Sequence, residues 1–213
     1  MKIAVIGAAG KAGRLIAQEA LGRGHEVTAI VKPGSEDRVP KGCAVLAKSL
    51  FDLTSADLKG FHAVVNAFGT PYDVPGKEQE HIDAAKLLIS IGRELPRVRF
   101  LTIGGYGSLY MDETRTKQVV DDIPKDVGAV PWAAKEALDL FRASDINWTF
   151  FSPAGYFDTK GPRTGSYTLG GDVVILNEQG KSYISYADFA VFLVDEIEQG
   201  KHIRERITAV SRG

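Results

Sequence analysis

The sequence is poor in cysteine and has no long apolar run. Cys43 is the only cysteine, so no disulfide can form within the chain and a zinc site built on several thiolates is excluded. Such low cysteine use is typical of proteins in a reducing compartment, which predicts a cytoplasmic location. No stretch approaches the roughly 18 consecutive apolar residues that a membrane helix needs, so no membrane partner is expected.

Neither sign of charge dominates the sequence. It has 26 Lys and Arg residues against 27 Asp and Glu residues, which gives a net charge of −1. Proteins that bind nucleic acids without sequence preference are ordinarily basic, so no nucleic-acid partner is expected. Four histidines are scattered without the spacing of metal ligands, and no metal site is predicted. The 213 residues suit one globular domain.

Strand and helix patterns alternate along the first 150 residues. The predicted strands cover residues 3–6, 26–31, 43–47, 63–67, 98–103 and 148–151. Predicted helices follow the first strand and cover residues 77–94 and 131–143. Such alternation requires a mostly parallel sheet with helices on both faces. The sequence therefore predicts an α/β fold with a doubly wound, Rossmann-like sheet, formed as a single domain over residues 1–213.

The pattern becomes irregular after Gly155. Glycine and proline are frequent there, which predicts a small C-terminal annex on the substrate side at about residues 155–184, with a hairpin over 166–175. Ser185 is predicted to cap a last helix, and a final strand is expected at 206–210. Because these two elements return to the sheet, we expect the annex to belong to the same domain.

A glycine-rich loop follows the first strand and opens the first helix. The spacing Gly7-x-x-Gly10-x-x-Gly13 is typical of dinucleotide sites, where the first glycine allows a tight turn, the second admits a pyrophosphate and the third lets the helix pack closely. The alternative is a glycine turn that binds nothing. The loop residues predicted to bind a cofactor are Gly7, Ala9, Gly10, Lys11, Ala12 and Gly13.

The end of the second predicted strand indicates which dinucleotide binds. Sites specific for NAD place Asp or Glu there to hold the ribose 2′-hydroxyl, whereas this chain has Lys32, with Ser35 nearby. A cation and a hydroxyl suit a 2′-phosphate, so NADP(H) is favoured over NAD(H). The alternative is that Lys32 is a solvated lysine at a strand end.

Further segments resemble the atypical branch of the short-chain dehydrogenase/reductase superfamily. They are residues 67–69, 104–110, 140–149, 163–165 and 184–190. Together with the glycine loop they resemble bacterial proteins provisionally named NADH–flavin reductases, which are relatives of biliverdin reductase B and the NmrA-like redox sensors. The resemblance covers nearly the whole chain. It implies a nucleotide site along the strand ends and a pocket for an isoalloxazine or quinone ring beside the nicotinamide.

The resemblance also implies positions for the rest of the cofactor. It places Ser49 and Leu50 beside the adenine, although Lys48 and Ser49 stand where the family usually has Gly-Asp. The other residues that it implies line the middle of the cofactor, the nicotinamide and its carboxamide, in that order: Ala67, Phe68 and Gly69; Thr102, Gly104 and Gly105; Ser152, Pro153 and Ala154.

The sequence lacks the proton donor of standard members of this superfamily. They carry Tyr-x-x-x-Lys on the helix after the fifth strand, but here Pro131 stands four places before Lys135. A literal match at Tyr156 and Lys160 lies outside any predicted helix, and we interpret it as a coincidence. No catalytic residue is therefore assigned. The weak candidates are Lys135, whose expected remaining role is to hold a ribose hydroxyl, Tyr110 and Tyr106.

The absent tyrosine favours one reaction over others. A carbonyl substrate needs a proton as hydride arrives, whereas the conjugated ring of a flavin or quinone absorbs the charge. The leading hypothesis is an NAD(P)H-dependent reductase that uses NADPH and reduces a small-molecule acceptor, either a quinone or free FMN, FAD or riboflavin. The alternatives are a redox sensor that binds NADP(H) without turnover and a sugar-nucleotide epimerase or dehydratase. The sequence is compatible with a homodimer but does not predict one.

Overall fold

A central sheet of eight strands organises the computed structural model, which describes residues 1–70, 76–125 and 128–212. The ten strands are β1 (Lys2–Ile6), β2 (Glu26–Val31), β3 (Ala44–Ala47), β4 (Ala63–Asn66), β5 (Arg99–Ile103), β6 (Trp148–Ser152), β7 (Tyr156–Asp158), β8 (Tyr167–Gly170), β9 (Tyr183–Ser185) and β10 (Glu205–Ser211). The five helices are α1 (Lys11–Gly22), α2 (Ser55–Leu58), α3 (Gln79–Glu94), α4 (Ala129–Arg142) and α5 (Tyr186–Gln199).

The strand order in the large sheet is β3-β2-β1-β4-β5-β6-β10-β8, and all neighbours are parallel except β10 and β8. The predicted Rossmann-like α/β fold is confirmed. The chain runs outward from β1 to β3 and then crosses back to β4 on the other side of β1. Ligands of such sheets bind where the strand order reverses, at the carboxyl ends of the strands.

Helices cover both faces of the sheet, which explains why its central strands are buried at nearly every position. On one face, α1 and α5 pack against a core that includes Phe151, Phe189 and Phe192. On the other face, α3 and α4 pack against a core that includes Phe100 and Trp148. Because successive side chains of a strand point to opposite faces, each central strand is held from both sides.

The predicted hairpin over residues 166–175 is wrong. Strand β8 pairs antiparallel with β10, and Val173 forms its bridge with Tyr110 instead of returning along β8. The physical reason is a long-range ion pair, because the buried guanidinium of Arg206 binds Asp172 and draws the chain away after Gly170. The annex also contains β7, which pairs in parallel with β9 in a separate two-stranded sheet.

The sequence predicted the ends of α3 and α4 to within about two residues of their positions in the structure. Ser185 caps α5 as predicted, since its hydroxyl accepts a hydrogen bond from the Asp188 amide. Helix α4 begins at Ala129, two residues before the predicted start, because proline is tolerated in the first turn of a helix and Pro131 does not have to begin it. No helix in the described part of the chain is long and apolar enough to cross a membrane.

Candidate active site

The glycine loop between β1 and α1 has the backbone geometry that its spacing predicts. Gly7 has φ of +79°, and a Cβ there would lie 2.8 Å from the carbonyl oxygen of Ala67. A Cβ on Gly13 would overlap the backbone of Gly7, so α1 packs directly on the loop. These two glycines are therefore required for the turn and for the helix contact, whatever the loop binds.

The amino terminus of α1 is open toward a ligand. Its N-cap residue is Gly10, which has no side chain to accept hydrogen bonds from the first turn, and the first turn contains no acidic residue. The backbone N–H groups there and the positive end of the helix dipole favour an anion. The loop and helix therefore fit the pyrophosphate of a dinucleotide.

A cleft of about 660 Å³ lies beside this helix end, at the carboxyl ends of β1, β4, β5 and β6. Ten of the predicted cofactor residues line it: Gly10, Lys11, Ala12, Ala67, Phe68, Gly69, Gly104, Gly105, Pro153 and Ala154. Thr102 and Ser152 are buried and lie outside the lining, as do Gly7, Ala9 and Gly13 within the loop. The structure thus brings four separate chain segments together along one cleft.

The residues predicted for the adenosine end lie outside this lining, around the ends of β2 and β3. Lys32 is exposed directly after β2, and the Ser35 hydroxyl accepts a hydrogen bond of 2.8 Å from the guanidinium of Arg38. Ser49 begins a 3-10 turn, in which Leu50 is buried in the core. Arg38 was missed in the sequence, although it follows Ser35 by one helical turn.

Helix α4 contributes aliphatic side chains to the cleft, namely Val130, Pro131 and Ala134. Lys135 is not among the lining residues, because its ammonium group binds the Asp139 carboxylate at 2.9 Å. The predicted role of Lys135 in holding a ribose hydroxyl stays a prediction. Among the described residues, α4 therefore brings neither a tyrosine nor a lysine to the cleft.

The literal Tyr-x-x-x-Lys match lies outside the cleft lining. Tyr156 is 63% exposed in β7, with its ring packed against Tyr183. Lys160 is exposed in the turn that follows, and its backbone N–H donates to Asp158. Because β7 is a strand, the two side chains do not share a helix face.

The two remaining tyrosine candidates differ in position. Tyr106 lines the cleft, and its ring lies so close to Gly155 that a Cβ there would meet it at 3.0 Å. Tyr110 is outside the lining and instead makes backbone hydrogen bonds with Asp172 and Val174. Of the pair, Tyr106 alone is placed to contact a ligand.

Four polar or aromatic residues of the cleft lining were not predicted from the sequence. Phe157 and Tyr186 stack with ring centroids 3.8 Å apart and form an aromatic wall. The His81 Nε2 lies 2.9 Å from the Thr70 hydroxyl, and burial lowers the pKa of His81, opposed by the nearby charge of Glu80. His81 could have been found as a polar residue one turn before Ala85 on the apolar stripe of α3.

Two loops of the cleft are joined behind its wall by a buried cation. The hydroxyls of Ser108 and Ser152 lie 3.2 Å apart, and the Arg206 guanidinium lies 3.4 Å from each. Burial lowers the pKa of Arg206, whereas the Asp172 carboxylate, 2.7 Å from its Nε, favours the charged form. This network fixes the loop after β5 relative to the loop after β6.

Comparison with known proteins decides which family has this arrangement. A family model described as NAD(P)H-binding matches residues 7–200. The chain belongs to the NAD(P)H-binding family. Within the part of the chain that the structure describes, no group of His, Cys, Asp and Glu side chains is arranged to hold a metal ion.

Similar proteins cover the whole chain. YwnB, an uncharacterized protein of Bacillus subtilis, is 48% identical over 99% of both chains. A Streptococcus pneumoniae protein provisionally named an NADH–flavin reductase is 44% identical, with a TM-score of 0.91 over 100% of both chains. A Bacteroides thetaiotaomicron protein provisionally named an epimerase is 34% identical, with a TM-score of 0.83 over 100% of this chain and 97% of the other. These likenesses support an oxidoreductase-like, NAD(P)H-binding protein.

Proposed function

We propose that this protein is an NADPH-dependent reductase that transfers hydride to a planar conjugated acceptor, either a free flavin or a quinone. The observation that carries the proposal is the composition of the cleft wall. One end is a glycine loop open to a pyrophosphate, and the other is lined by Tyr106, Phe157 and the aliphatic face of α4. The name given to the Streptococcus pneumoniae neighbour agrees with this chemistry.

Each segment of the cleft has a role in holding the dinucleotide. The first turn of α1 binds the pyrophosphate through the N–H groups of Lys11 and Ala12. The segment from Ala67 to Gly69 contacts the middle of the cofactor. Gly104 cannot carry a side chain, because a Cβ would overlap the ring of Phe150, so backbone alone faces the nicotinamide side there. When bound, NADPH supplies the hydride.

The remaining apolar space fits the acceptor. Aromatic side chains pack on a planar ring through offset or edge contacts worth about 0.5–1.5 kcal/mol each. Such a wall orients a ring against the nicotinamide, and orientation is a large part of catalysis when the acceptor itself absorbs the charge. The absence of a tyrosine and lysine from the cleft face of α4 disfavours an epimerase or dehydratase, although one similar structure carries that name.

Steady-state oxidation of NADPH with FMN, riboflavin and a naphthoquinone tests the proposal. We expect turnover with at least one of them. Gly10→Val, which places a side chain where the pyrophosphate approaches, should abolish turnover and nucleotide binding while the circular dichroism spectrum is retained. Tight binding of NADPH by the wild type without oxidation by any acceptor would instead favour the redox sensor.

A further inference from the structure

His81 lies between two cavities. Its imidazole lines the large cleft and also lines a second cavity of about 10 Å³ beneath the cleft floor, between α3, β4 and β5. On the cleft side, the Thr70 hydroxyl lies 2.9 Å from His81 Nε2 and itself lines the cleft. The Thr70 hydroxyl in the cleft is thus in contact with the His81 ring, which also lines the second cavity.

The second cavity is polar and has one unsatisfied group. Thr102 and Asn66 are directly opposite each other on β5 and β4, and both side chains line this cavity. Thr102 is 6% exposed, and its hydroxyl has no hydrogen-bond partner among the described residues, whereas Asn66 Oδ1 accepts from the Phe68 amide. A cavity of this size holds about one water molecule, which would complete the hydrogen bonding of Thr102.

We propose that Thr70 and His81 form a proton-delivery pair for the acceptor bound in the cleft, recharged through a water molecule held by Thr102. This inference rests on the proposed reductase function and names the residues that take the place of the absent tyrosine. It applies most strongly to quinones, whose reduced oxygen is more basic than the reduced ring of a flavin.

The proposed step balances in atoms and charge. Hydride transfer from bound NADPH converts a quinone into a hydroquinone anion. The Thr70 hydroxyl gives its proton to the anionic oxygen and takes one from Nε2–H of neutral His81, while Nδ1 of the same ring takes a proton from the buried water. The water regains its proton from solvent, and exchange with solvent returns the ring to the tautomer with Nε2–H, so the sum is quinone, NADPH and one proton giving hydroquinone and NADP⁺.

Few other groups in the cleft can supply this proton. Lys11 on α1 and the two tyrosines, Tyr106 and Tyr186, are the other titratable side chains among the described lining residues. Lys11 belongs to the helix end that fits the pyrophosphate. Burial lowers the pKa of His81, and the nearby charge of Glu80 only partly opposes this, so the ring favours the neutral form that the relay uses.

Two acceptors separate proton delivery from cofactor binding. A naphthoquinone needs a hydride and a proton, whereas a tetrazolium cation becomes a neutral formazan on receiving hydride alone. We expect Thr70→Val and His81→Gln to lower kcat with the quinone by about 100-fold or more. Both variants should keep tetrazolium reduction within about threefold of the wild type, with unchanged affinity for NADPH. Thr168→Val, on exposed β8, is the matched control and should change neither reaction.

Each outcome decides a different question. Equal losses with both acceptors, or no loss with either, would overturn the proton-delivery role while leaving the reductase intact. A wild type that oxidises NADPH with neither the naphthoquinone nor FMN nor riboflavin would refute the proposed function instead. Nitrogen NMR of the histidine rings gives a readout without turnover, because Thr70→Val should change the tautomer balance of His81 and Thr168→Val should not. A His81 spectrum that is identical in Thr70→Val and wild type would exclude the pair.

Discussion

The proposed preference for NADPH over NADH rests on individual cationic residues at the adenosine end of the site. Lys32 replaces the carboxylate of NAD sites, and Arg38 donates a hydrogen bond to Ser35 in the same turn. We expect a 2′-phosphate bound there to contact Lys32, with the paired Arg38 and Ser35 side chains a few residues further along the chain. Both guanidinium and ammonium groups make charge-assisted hydrogen bonds to phosphate oxygens.

Lys32→Asp should therefore reverse the nucleotide preference. A charge-assisted hydrogen bond contributes about 1.5–3 kcal/mol, so we expect the affinity for NADPH to fall about 10- to 100-fold while that for NADH changes little. Titration with each cofactor, followed by tryptophan or nucleotide fluorescence, measures the two affinities. Lys41→Asp makes the same change of charge on the exposed surface before β3, at the opposite edge of the sheet from Lys32, and serves as the control. Equal affinity of the wild type for NADH and NADPH would contradict the assignment.

At the same scale, His81 makes stability depend on pH. Burial lowers its pKa in the folded protein below the roughly 6.5 of an unfolded chain. In the window below 6.5 the unfolded chain binds a proton that the folded protein resists, so the free energy of unfolding decreases as pH falls. Denaturant unfolding of wild type and His81→Gln between pH 7.5 and 5 should show a smaller decrease in the variant. Parallel pH dependences in the two proteins would show that His81 is not the cause.

At the scale of secondary-structure elements, the packing of α1 against the glycine loop depends on Gly13. An added methyl group must displace the backbone of Gly7, and backbone atoms cannot rotate away as a side chain does. We expect Gly13→Ala to reduce the free energy of unfolding by about 1–3 kcal/mol and to weaken nucleotide binding. Gly22→Ala is the matched control at the other end of α1, where an added Cβ meets nothing, and it should be neutral or slightly stabilising. Chemical denaturation of both variants tests the contrast.

Strand β10 supports the cleft through Arg206, and the two partners of that ion pair are not equivalent. The Arg206 side chain is fully buried, whereas Asp172 is partly exposed and also binds Arg142. Removing the carboxylate leaves a buried charge uncompensated, so Asp172→Ala should cost about 3 kcal/mol. Arg206→Met removes the buried charge itself and leaves Asp172 paired with Arg142, so it should cost less. The order of the two variants in thermal unfolding is the measurement, and the reverse order would contradict it.

At the scale of the whole molecule, local signals predicted the sheet, the loop and an irregular annex, but not how the strands of the annex pair. The apolar run of β1 and the glycines after it lie within about a dozen residues of one another. They determine both the first crossover and the open end of α1. The pairing of β8 with β10 depends on Asp172 and Arg206, which are 34 residues apart, so the residues around Gly170 could not reveal it.

The candidate site was also predictable only in part. The position of Gly10 follows from motif spacing and that of Gly104 from the family resemblance, and both residues line the cleft. Side-chain direction does not follow from spacing, so the turn of Lys135 toward Asp139 and the pairing of His81 with Thr70 appeared only in three dimensions. Phe157, in the aromatic wall of the cleft, lies in the irregular annex, where no periodic pattern indicates a ligand.

The contact between Arg206 and Ser108 also has a consequence for the order of folding. The two residues are separated by 98 positions, so their meeting closes a long loop, and such closure is slow relative to the formation of β1, α1 and β2 from neighbouring segments. During refolding, the phosphate-binding turn can therefore assemble early while the loops after β5 and β6 still lack their common support. A chain caught at that stage would hold a dinucleotide by one end only, with its reactive ring unrestrained.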